Sequence, residues 1–238
     1  MQIEKSVTIK ILFVIAVLIW IVFFGLLAGN VHADVPSSTQ LVSLHRTTPV
    51  HMRPGSPVSG AIKDTEPDTG EPTVLPVIAH RDVHHLHWLR VRLPYRPDGA
   101  TGWIIAKSVT LSTTPWAVYV NRAERKARIF RSGRLQRTYE VIVGRPSLPT
   151  PVGNFFITEI MEERGEVTGP YALATSAYSN VLQEFDGGPG QVALHGREGL
   201  YSEGNIGTAS SHGCIRFERS AIEYLAHELV VGTLITIT

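Results

Sequence analysis

Length, charge and cysteine content exclude several classes of protein at once. The 238 residues carry 22 Lys and Arg against 21 Asp and Glu, a formal net charge of +1. Because this balance leaves no strongly basic surface, we expect no nucleic-acid partner. The chain has one cysteine, which excludes a disulfide framework, so hydrophobic cores must supply the stability. The length suits one large domain or two modest ones beyond any export segment.

The amino terminus is predicted to be an export segment. An unbroken apolar run fills Ile11 to Ala28 and follows Lys5 and Lys10, which is the order of a secretory signal. The sequence VHA at 31–33 offers suitable residues at the two positions that a signal peptidase reads. The run is also close to the ~18 residues that span a bilayer. Residues 1–33 are therefore predicted to be a cleaved signal peptide or an uncleaved membrane anchor, with the remainder exported to the cell envelope.

A small β module is predicted for residues 37–111. Leu89 and Val91 alternate with Arg90 and Arg92, the period of a half-buried strand. A Pro-Asp-Gly turn follows, and GWII begins another strand. The string WLRVRLPYRPDGATGWI resembles bacterial SH3-like modules, which often accompany catalytic domains that act on the cell wall. The resemblance implies an SH3-like β-barrel that either binds wall glycan or stem peptide or spaces the next domain from the membrane.

The rest of the chain, residues 116–238, is predicted to be a second β-rich domain that follows a short STTP linker at 112–115. It contains a series of short apolar strands, one of which is VALHG, and a Gly-rich loop, EFDGGPGQ. That loop lacks the Lys-Ser/Thr context of a phosphate-binding loop, so we interpret it as a mobile flap beside a cleft. The fold class is mainly β.

One short helix is predicted after the loop that holds the cysteine. Ser220 and Glu223 fit the S-x-x-E pattern of a capping box, and Gly232 suits the position after the last turn. The apolar face of the helix is built from Ile222, Leu225, Ala226 and Leu229. TLITIT then closes the chain as a strand.

The single cysteine, Cys214, lies in the string SSHGCIRF. A thiol becomes a useful nucleophile as the thiolate, which needs a base, a nearby cation or converging N–H groups. His212 and His195 are candidate bases, and Arg216 brings a permanent positive charge. Gly213 permits a tight turn, so that its N–H and that of Cys214 could form an oxyanion hole.

Other interpretations of these residues are a buried, inert cysteine and a metal site built from His195, His212 and Cys214. Polar, turn-forming neighbours argue against the first, and the lack of a helical HExxH pattern weakens the second. A second histidine-rich stretch also invites a metal interpretation, although strand and turn signals favour a solvated hairpin. Its histidines are His80, His84, His85 and His87.

The residues around Cys214 resemble the signature of the L,D-transpeptidase catalytic domain, also called the YkuD domain. The family pattern is His-Gly, a spacer, then Ser/Thr-His-Gly-Cys, a hydrophobic residue, and Asn or Arg. Here it reads His195-Gly196, a spacer, Ser211 to Cys214, Ile215 and Arg216. The upstream TPVG at 150–153 matches a T-P-x-G turn common in these domains, and the resemblance covers Trp116 to Thr238.

The resemblance implies a role for each matching residue. Cys214 is the nucleophile, His195 is the general acid and base, and the carbonyl of Gly196 orients the imidazole. Ser211, His212 and Gly213 are implied to line the oxyanion hole or the substrate site. Arg216 is left with two interpretations, since it could bind a carboxylate or hold the loop.

The implied reaction is acyl transfer on peptidoglycan stem peptides, with no metal or organic cofactor. The thiol attacks the bond between a diamino acid and the terminal D-Ala of a tetrapeptide stem, forms a thioester and releases D-Ala. An amine of a second stem then gives a 3→3 cross-link, whereas water would make the protein an L,D-carboxypeptidase. A sortase-like cysteine transpeptidase and a non-catalytic wall-binding protein are the remaining alternatives.

Overall fold

The computed structural model describes residues 35–163, 168–185, 187–199 and 202–238. The predicted signal peptide or anchor at 1–33 lies outside the described residues. Within them the protein is mainly β, with seventeen strands and one helix, α1 (Arg219–Glu228). No helix in this part of the chain is long and apolar enough to cross a membrane.

The first half forms a seven-stranded antiparallel sheet in the order β3-β2-β6-β5-β4-β1-β7. Its strands are β1 (Thr39–Leu44), β2 (Thr48–His51), β3 (Val58–Ile62), β4 (Val74–Val83), β5 (Leu86–Arg92), β6 (Thr101–Ile105) and β7 (Val109–Thr114). The alternation predicted in β5 is confirmed, because Leu89 and Val91 are buried while Arg90 is exposed. The likeness of this sheet to an SH3-like barrel stays a prediction.

The second half forms a mixed eight-stranded sheet in the order β10-β9-β8-β17-β12-β13-β14-β16, while β11 and β15 pair separately. Its strands are β8 (Trp116–Asn121), β9 (Lys126–Arg131), β10 (Arg134–Glu140), β11 (Val143–Gly144), β12 (Gly153–Glu162), β13 (Tyr171–Tyr178), β14 (Gln191–Gly196), β15 (Ala209–Ser211), β16 (Ile215–Phe217) and β17 (Leu234–Ile237). The predicted closing strand is confirmed as β17.

The two sheets are joined without a linker. Strand β7 ends at Thr114 and β8 begins at Trp116, so only Pro115 separates them. The predicted linker at 112–115 is wrong because Ser112–Thr114 pair with β1 in the first sheet. Polar Ser and Thr residues are common in linkers, but their backbone groups can also complete a sheet edge, as they do here.

Strand β12 contributes to two hydrophobic cores at once. Phe155 and Phe156 are both 1% exposed, but Phe155 packs in the core of the second sheet and Phe156 in the core of the first. Successive side chains of a strand point to opposite faces, which places these neighbours in different cores. The two halves of the chain therefore share a strand at their junction.

Helix α1 packs Ala221, Ile222 and Leu225 into the core, as predicted from the apolar face. The predicted capping box is wrong, because the N-cap residue is Glu218 and no side chain caps the helix. Ser220 already lies inside the first turn, and Glu223 instead pairs with Arg219, Nε to Oε1 at 3.0 Å.

The predicted C-terminal stop of this helix is also wrong. The helix ends before Leu229, which has extended backbone angles as the C-cap residue. Gly232 lies three residues further on with φ of +89°, and a Cβ there would come within 2.7 Å of Leu41 in the first sheet. This glycine permits close packing against the first sheet.

Candidate active site

Two neighbouring parallel strands bring the predicted site residues together. Strand β14 ends with His195 and Gly196, and the loop between β15 and β16 holds Cys214. In the β14–β16 ladder His195 pairs with Arg216, and Leu194 pairs with Ile215. This register closes the nineteen-residue separation between His195 and Cys214 in the sequence.

A cavity of about 470 Å³ lies at this end of the sheet. Its lining residues are Asp68, Met161, Glu163, Thr168, Ala172, Ala174, Phe185, Gln191, Ala193, His195, His212, Cys214 and Arg216. Four of the predicted site residues are therefore on the cavity wall. The other three, Gly196, Ser211 and Gly213, are not among the residues that line it.

Cys214 is half-buried, and its Sγ accepts a hydrogen bond of 3.4 Å from the Ala193 N–H. Burial raises the pKa of the thiol, although that hydrogen bond and the charge of Arg216 act in the opposite direction. Because the thiol pKa lies above its ordinary value, the resting group is protonated at neutral pH and needs a base for activation.

His195 is only 4% exposed, and its Nδ1 lies 2.6 Å from the carbonyl oxygen of Gly196. A carbonyl can only accept, so Nδ1 carries the hydrogen and Nε2 of the neutral ring carries the lone pair. Burial and the charge of Arg216 together lower the pKa of His195 to about 4, although hydrogen bonds to the carbonyls of Gly196 and Thr168 act in the opposite direction. The ring is therefore neutral at pH 7 and able to accept a proton.

His195 and Cys214 both line the same cavity. Among the described residues, the Sγ of Cys214 accepts its hydrogen bond from the Ala193 N–H, and no hydrogen bond joins Sγ to the ring of His195. Catalytic hydrogen bonds are often long in unliganded enzymes and shorten when substrate binds. The arrangement can support general-base activation of the thiol once the two groups close up.

The backbone around Cys214 is fixed by side chains behind the cavity. Ser211 is fully buried, and its Oγ donates to the Cys214 carbonyl over 2.6 Å and accepts from the Gly213 N–H over 3.1 Å. Gly213 adopts φ of +128°, a backbone conformation that side-chain-bearing residues rarely enter. The hydroxyl of Ser211 is thus engaged within the loop itself.

Arg216 is 2% exposed and contacts Glu203 from the preceding loop. Its Nη1 donates to the Glu203 carbonyl over 2.9 Å and lies 3.5 Å from the Glu203 carboxylate. Its Nε has no hydrogen-bond partner among the described residues, although it is buried. Arg216 therefore holds a loop and is also a residue of the cavity wall, so both predicted interpretations remain compatible with its position.

His212 stacks on Phe185, with ring centroids 5.3 Å apart and planes tilted by 32°. Burial lowers the pKa of His212, and the charge of Arg145 lowers it further. Phe185 belongs to the predicted Gly-rich flap, and Phe185 and Gly188 exchange two backbone hydrogen bonds of 2.9 Å. The loop therefore borders the cavity, while its mobility stays a prediction.

The histidine-rich stretch forms the predicted hairpin in the first sheet. His84 and His85 have φ of +51° and +63° and make the turn between β4 and β5. His87 Nδ1 lies 2.7 Å from Asp82, and His80 lies 3.0 Å from His87. Across residues 35–163, 168–185, 187–199 and 202–238, no cluster of three His, Cys, Asp or Glu side chains is arranged to hold a metal ion.

Sequence reasoning missed residues that reach the site from far along the chain. Asp68 lines the cavity from the first sheet, and the buried Glu159 holds its loop in place. The sequence predicts only a turn at Thr150, whereas its Oγ1 donates to the Gly213 carbonyl over 2.8 Å. The T-P-x-G pattern was the one available signal for Thr150, and the pattern around Asp68 had none.

Comparison with known proteins agrees with the predicted family. Residues 115–237 match the family model of the L,D-transpeptidase catalytic domain, YkuD. A protein named L,D-transpeptidase YkuD from Bacillus licheniformis is 29% identical over 126 residues, which is 53% of this chain and 67% of that protein. Its namesake from Bacillus subtilis is 27% identical over 125 residues, which is 52% of this chain and 67% of that protein.

Solved structures of L,D-transpeptidases are also similar in part. A mutant of the Enterococcus faecium L,D-transpeptidase is 17% identical with a TM-score of 0.40, and the match covers 52% of this chain and 49% of that one. An L,D-transpeptidase from Mycobacterium tuberculosis is 15% identical with a TM-score of 0.42, over 68% of this chain and 97% of that one. The matched region thus spans about half of the Enterococcus faecium protein. On the match at 115–237, this chain belongs to the YkuD family of L,D-transpeptidase catalytic domains.

Proposed function

We propose that this protein is a cell-envelope L,D-transpeptidase that acts on peptidoglycan stem peptides. The observation that supports the proposal best is the placement of His195 and Cys214 on one cavity, within the region that matches the family. In this proposal residues 1–33 export or anchor the chain, 37–111 form an SH3-like module, and 116–238 carry the chemistry.

The first half-reaction acylates the enzyme. Nε2 of His195 takes the proton from Cys214 Sγ, and the sulfur attacks the carbonyl between the diamino acid and the terminal D-Ala. The Gly196 carbonyl keeps the ring in the tautomer with a free Nε2 lone pair. The C–N bond then breaks, His195 returns its proton to the leaving amine, D-Ala departs, and a thioester remains.

The oxyanion that forms in this step needs N–H donors. Gly213 is the less suitable of the two predicted donors, because its N–H already donates to Ser211 Oγ. We therefore assign the oxyanion to the N–H of Cys214, with His212 bordering the same cavity. Ser211 and Gly213 then act by holding the loop in shape.

The second half-reaction transfers the acyl group. A neutral amine from another stem attacks the thioester carbonyl, and His195 accepts the proton that the amine loses. The C–S bond then breaks, and His195 passes this proton to the departing sulfur, which restores the thiol. The product is a 3→3 cross-link. Water in place of the amine would give the trimmed tripeptide.

Mass spectrometry of a tetrapeptide donor incubated with the purified protein tests the proposal. We expect release of D-Ala and a cross-linked dimer, both abolished in Cys214→Ala. A carbapenem should acylate Cys214 stoichiometrically in the wild type. A tripeptide without dimer would assign the carboxypeptidase reaction, and an unreactive thiol would contradict the enzymatic assignment.

Substitution of each histidine distinguishes the roles of His195 and His212. His195→Ala should abolish turnover, because no other group takes the thiol proton, whereas His212→Ala should leave residual thioester formation. The reverse result would show that His212 is the base.

A further inference from the structure

A loop of the first sheet forms part of the catalytic cavity wall. It connects β3 to β4, and Asp68 near its tip lines the same cavity as His195 and Cys214. The loop is internally bonded, since the Glu66 N–H donates to the Glu71 carbonyl over 2.9 Å and the Gly70 N–H donates to the Glu66 carbonyl over 3.0 Å. Asp68 is thus presented on a defined turn.

The buried carboxylate of Glu159 fastens this loop to the catalytic sheet. Glu159 lies on β12 and is 3% exposed. Its Oε2 accepts three hydrogen bonds, from the Asp68 N–H at 3.2 Å, the Thr69 N–H at 2.9 Å and the Thr69 hydroxyl at 3.0 Å. Hydrogen bonds to an ionised acceptor are stronger than neutral ones, so the position of Asp68 is set by the catalytic half of the chain.

The charges on the cavity wall are only partly compensated. Asp68 and Glu163 both line it, and neither forms an ion pair with another described residue. On the same cavity, the guanidinium of Arg216 is 98% buried and its Nε has no hydrogen-bond partner within the described residues. Glu203 already pairs with Nη1 of Arg216. The charges left without an ion-pair partner among the described residues of this wall are therefore the carboxylates of Asp68 and Glu163, which suit a cationic group of a ligand.

We propose that Asp68 is a specificity-determining residue whose carboxylate binds the side-chain ammonium of the diamino acid in the donor stem. The first sheet then contributes a subsite to the reaction rather than acting as a spacer. This inference rests on the proposed function and names a substrate contact within it. Glu159 is a positioning residue that acts through Asp68.

The donor is the appropriate stem for this contact. An ammonium held by a carboxylate has its pKa raised and stays protonated. A protonated amine cannot attack a thioester, so binding of the acceptor amine by Asp68 would oppose the second half-reaction. The donor ammonium takes no part in bond making, and its charge serves recognition alone.

Binding measured without chemistry tests this contact directly. In the Cys214→Ala full-length protein, calorimetry would compare L-Ala-γ-D-Glu-L-Lys-D-Ala with the same peptide acetylated on the lysine Nε. We expect Asp68→Asn to weaken the free-amine peptide on the order of tenfold and to leave the acetylated peptide at its original Kd. Asp82→Asn is the matched control, because Asp82 is an exposed carboxylate of the same sheet that does not line the cavity.

Steady-state kinetics test the positioning role of Glu159. With Cys214 intact, Glu159→Gln replaces the carboxylate that accepts three hydrogen bonds from the Asp68 loop. We expect the substitution to raise KM for the free-amine peptide more than it lowers kcat. Asp68→Glu should recover part of the affinity that Asp68→Asn loses, because it restores the charge on a longer side chain.

The outcomes separate the two proposals. Equal losses for both peptides, or no loss for either, would overturn the role of Asp68. A free-amine preference that depends on Asp68, together with no D-Ala release by the wild type, would overturn the proposed reaction and retain the subsite. Absence of binding by either peptide in the Cys214→Ala protein would contradict the subsite.

Discussion

The hydroxyl of Thr150 donates a hydrogen bond of 2.8 Å to the carbonyl of Gly213, the residue before Cys214. The same oxygen accepts the Gly144 N–H over 2.8 Å. Thr150 is fully buried, so one hydroxyl satisfies a donor and an acceptor that water cannot reach. The T-P-x-G turn thereby braces the cysteine loop from behind.

Thr150→Val should therefore impair the site as well as the fold. The substitution keeps the shape but leaves two buried backbone groups unsatisfied, at a cost of about 1–3 kcal/mol in the free energy of unfolding. We expect the acylation of Cys214 by a carbapenem to slow several-fold in this variant, as measured by stopped-flow absorbance. Thr233→Val is the control, since Thr233 is also fully buried and accepts the Val230 N–H over 3.3 Å. It should lose stability while the acylation rate stays at the wild-type value. Equal acylation rates in both variants would contradict the bracing role.

Alkylation of the free protein should reveal a neutral thiol and a neutral imidazole. Burial raises the pKa of Cys214 and lowers that of His195 to about 4, so the resting pair does not form a thiolate and imidazolium at pH 7. The rate of alkylation by iodoacetamide should rise continuously with pH from neutral to above the ordinary cysteine range. A plateau between pH 5 and 8 would instead indicate a preformed ion pair and contradict this expectation.

His195 should make the protein less stable in acid. Its pKa falls from 6.5 in the unfolded chain to about 4 in the folded protein, so the unfolded state binds the proton more tightly. The stability is fully present above pH 6.5 and is lost as the pH falls toward 4, by up to ~3 kcal/mol. Urea denaturation at several pH values should show this loss in the wild type. This loss of stability should be absent in His195→Asn, a variant that keeps an N–H near the Gly196 carbonyl. A pH profile equal to that of the wild type would refute the assignment of the loss to His195.

Glu66 should make the protein less stable as the pH rises, which is the opposite of the effect of His195. Burial, together with the nearby charges of Glu159 and Asp68, raises its pKa from 4.5 to about 7, although a hydrogen bond with Thr73 acts in the opposite direction. Its contribution is fully present below pH 4.5 and is lost as the pH rises through 7. Because the side chain is only partly buried, solvent screening reduces the effect to about 1–2 kcal/mol. Glu66→Gln should remove this loss in the same urea series, and a loss of equal size in the variant would contradict the assignment to Glu66.

The sequence predicted those features of the fold that depend on contacts between residues close together in the chain. The strand at Leu89 and Val91 and the apolar face of α1 follow from periodicity within a few residues, and both are present. The helix start was misplaced because Ser220 and Glu223 fit a capping pattern that the ion pair of Glu223 with Arg219 displaces.

The sequence motif indicated which residues make up the candidate site, but it did not indicate their geometry. The residues His195, His212, Cys214 and Arg216 do share a cavity, whereas nothing in the local pattern indicated that Ser211 would turn its hydroxyl inward to the Cys214 carbonyl. The approach of Asp68 depends on Glu159, ninety-one residues away. Contacts at that separation arise from how two sheets pack and leave no trace in hydrophobic periodicity.

The pair Phe155 and Phe156 limits how this protein can be dissected. A chimera that places the catalytic half behind another module would expose Phe156, which is 1% exposed and packs in the first core. It would also leave the carboxylate of Glu159 without its three donors. Domain exchange at Pro115 would therefore require a new partner surface, and heat should melt both halves in one transition.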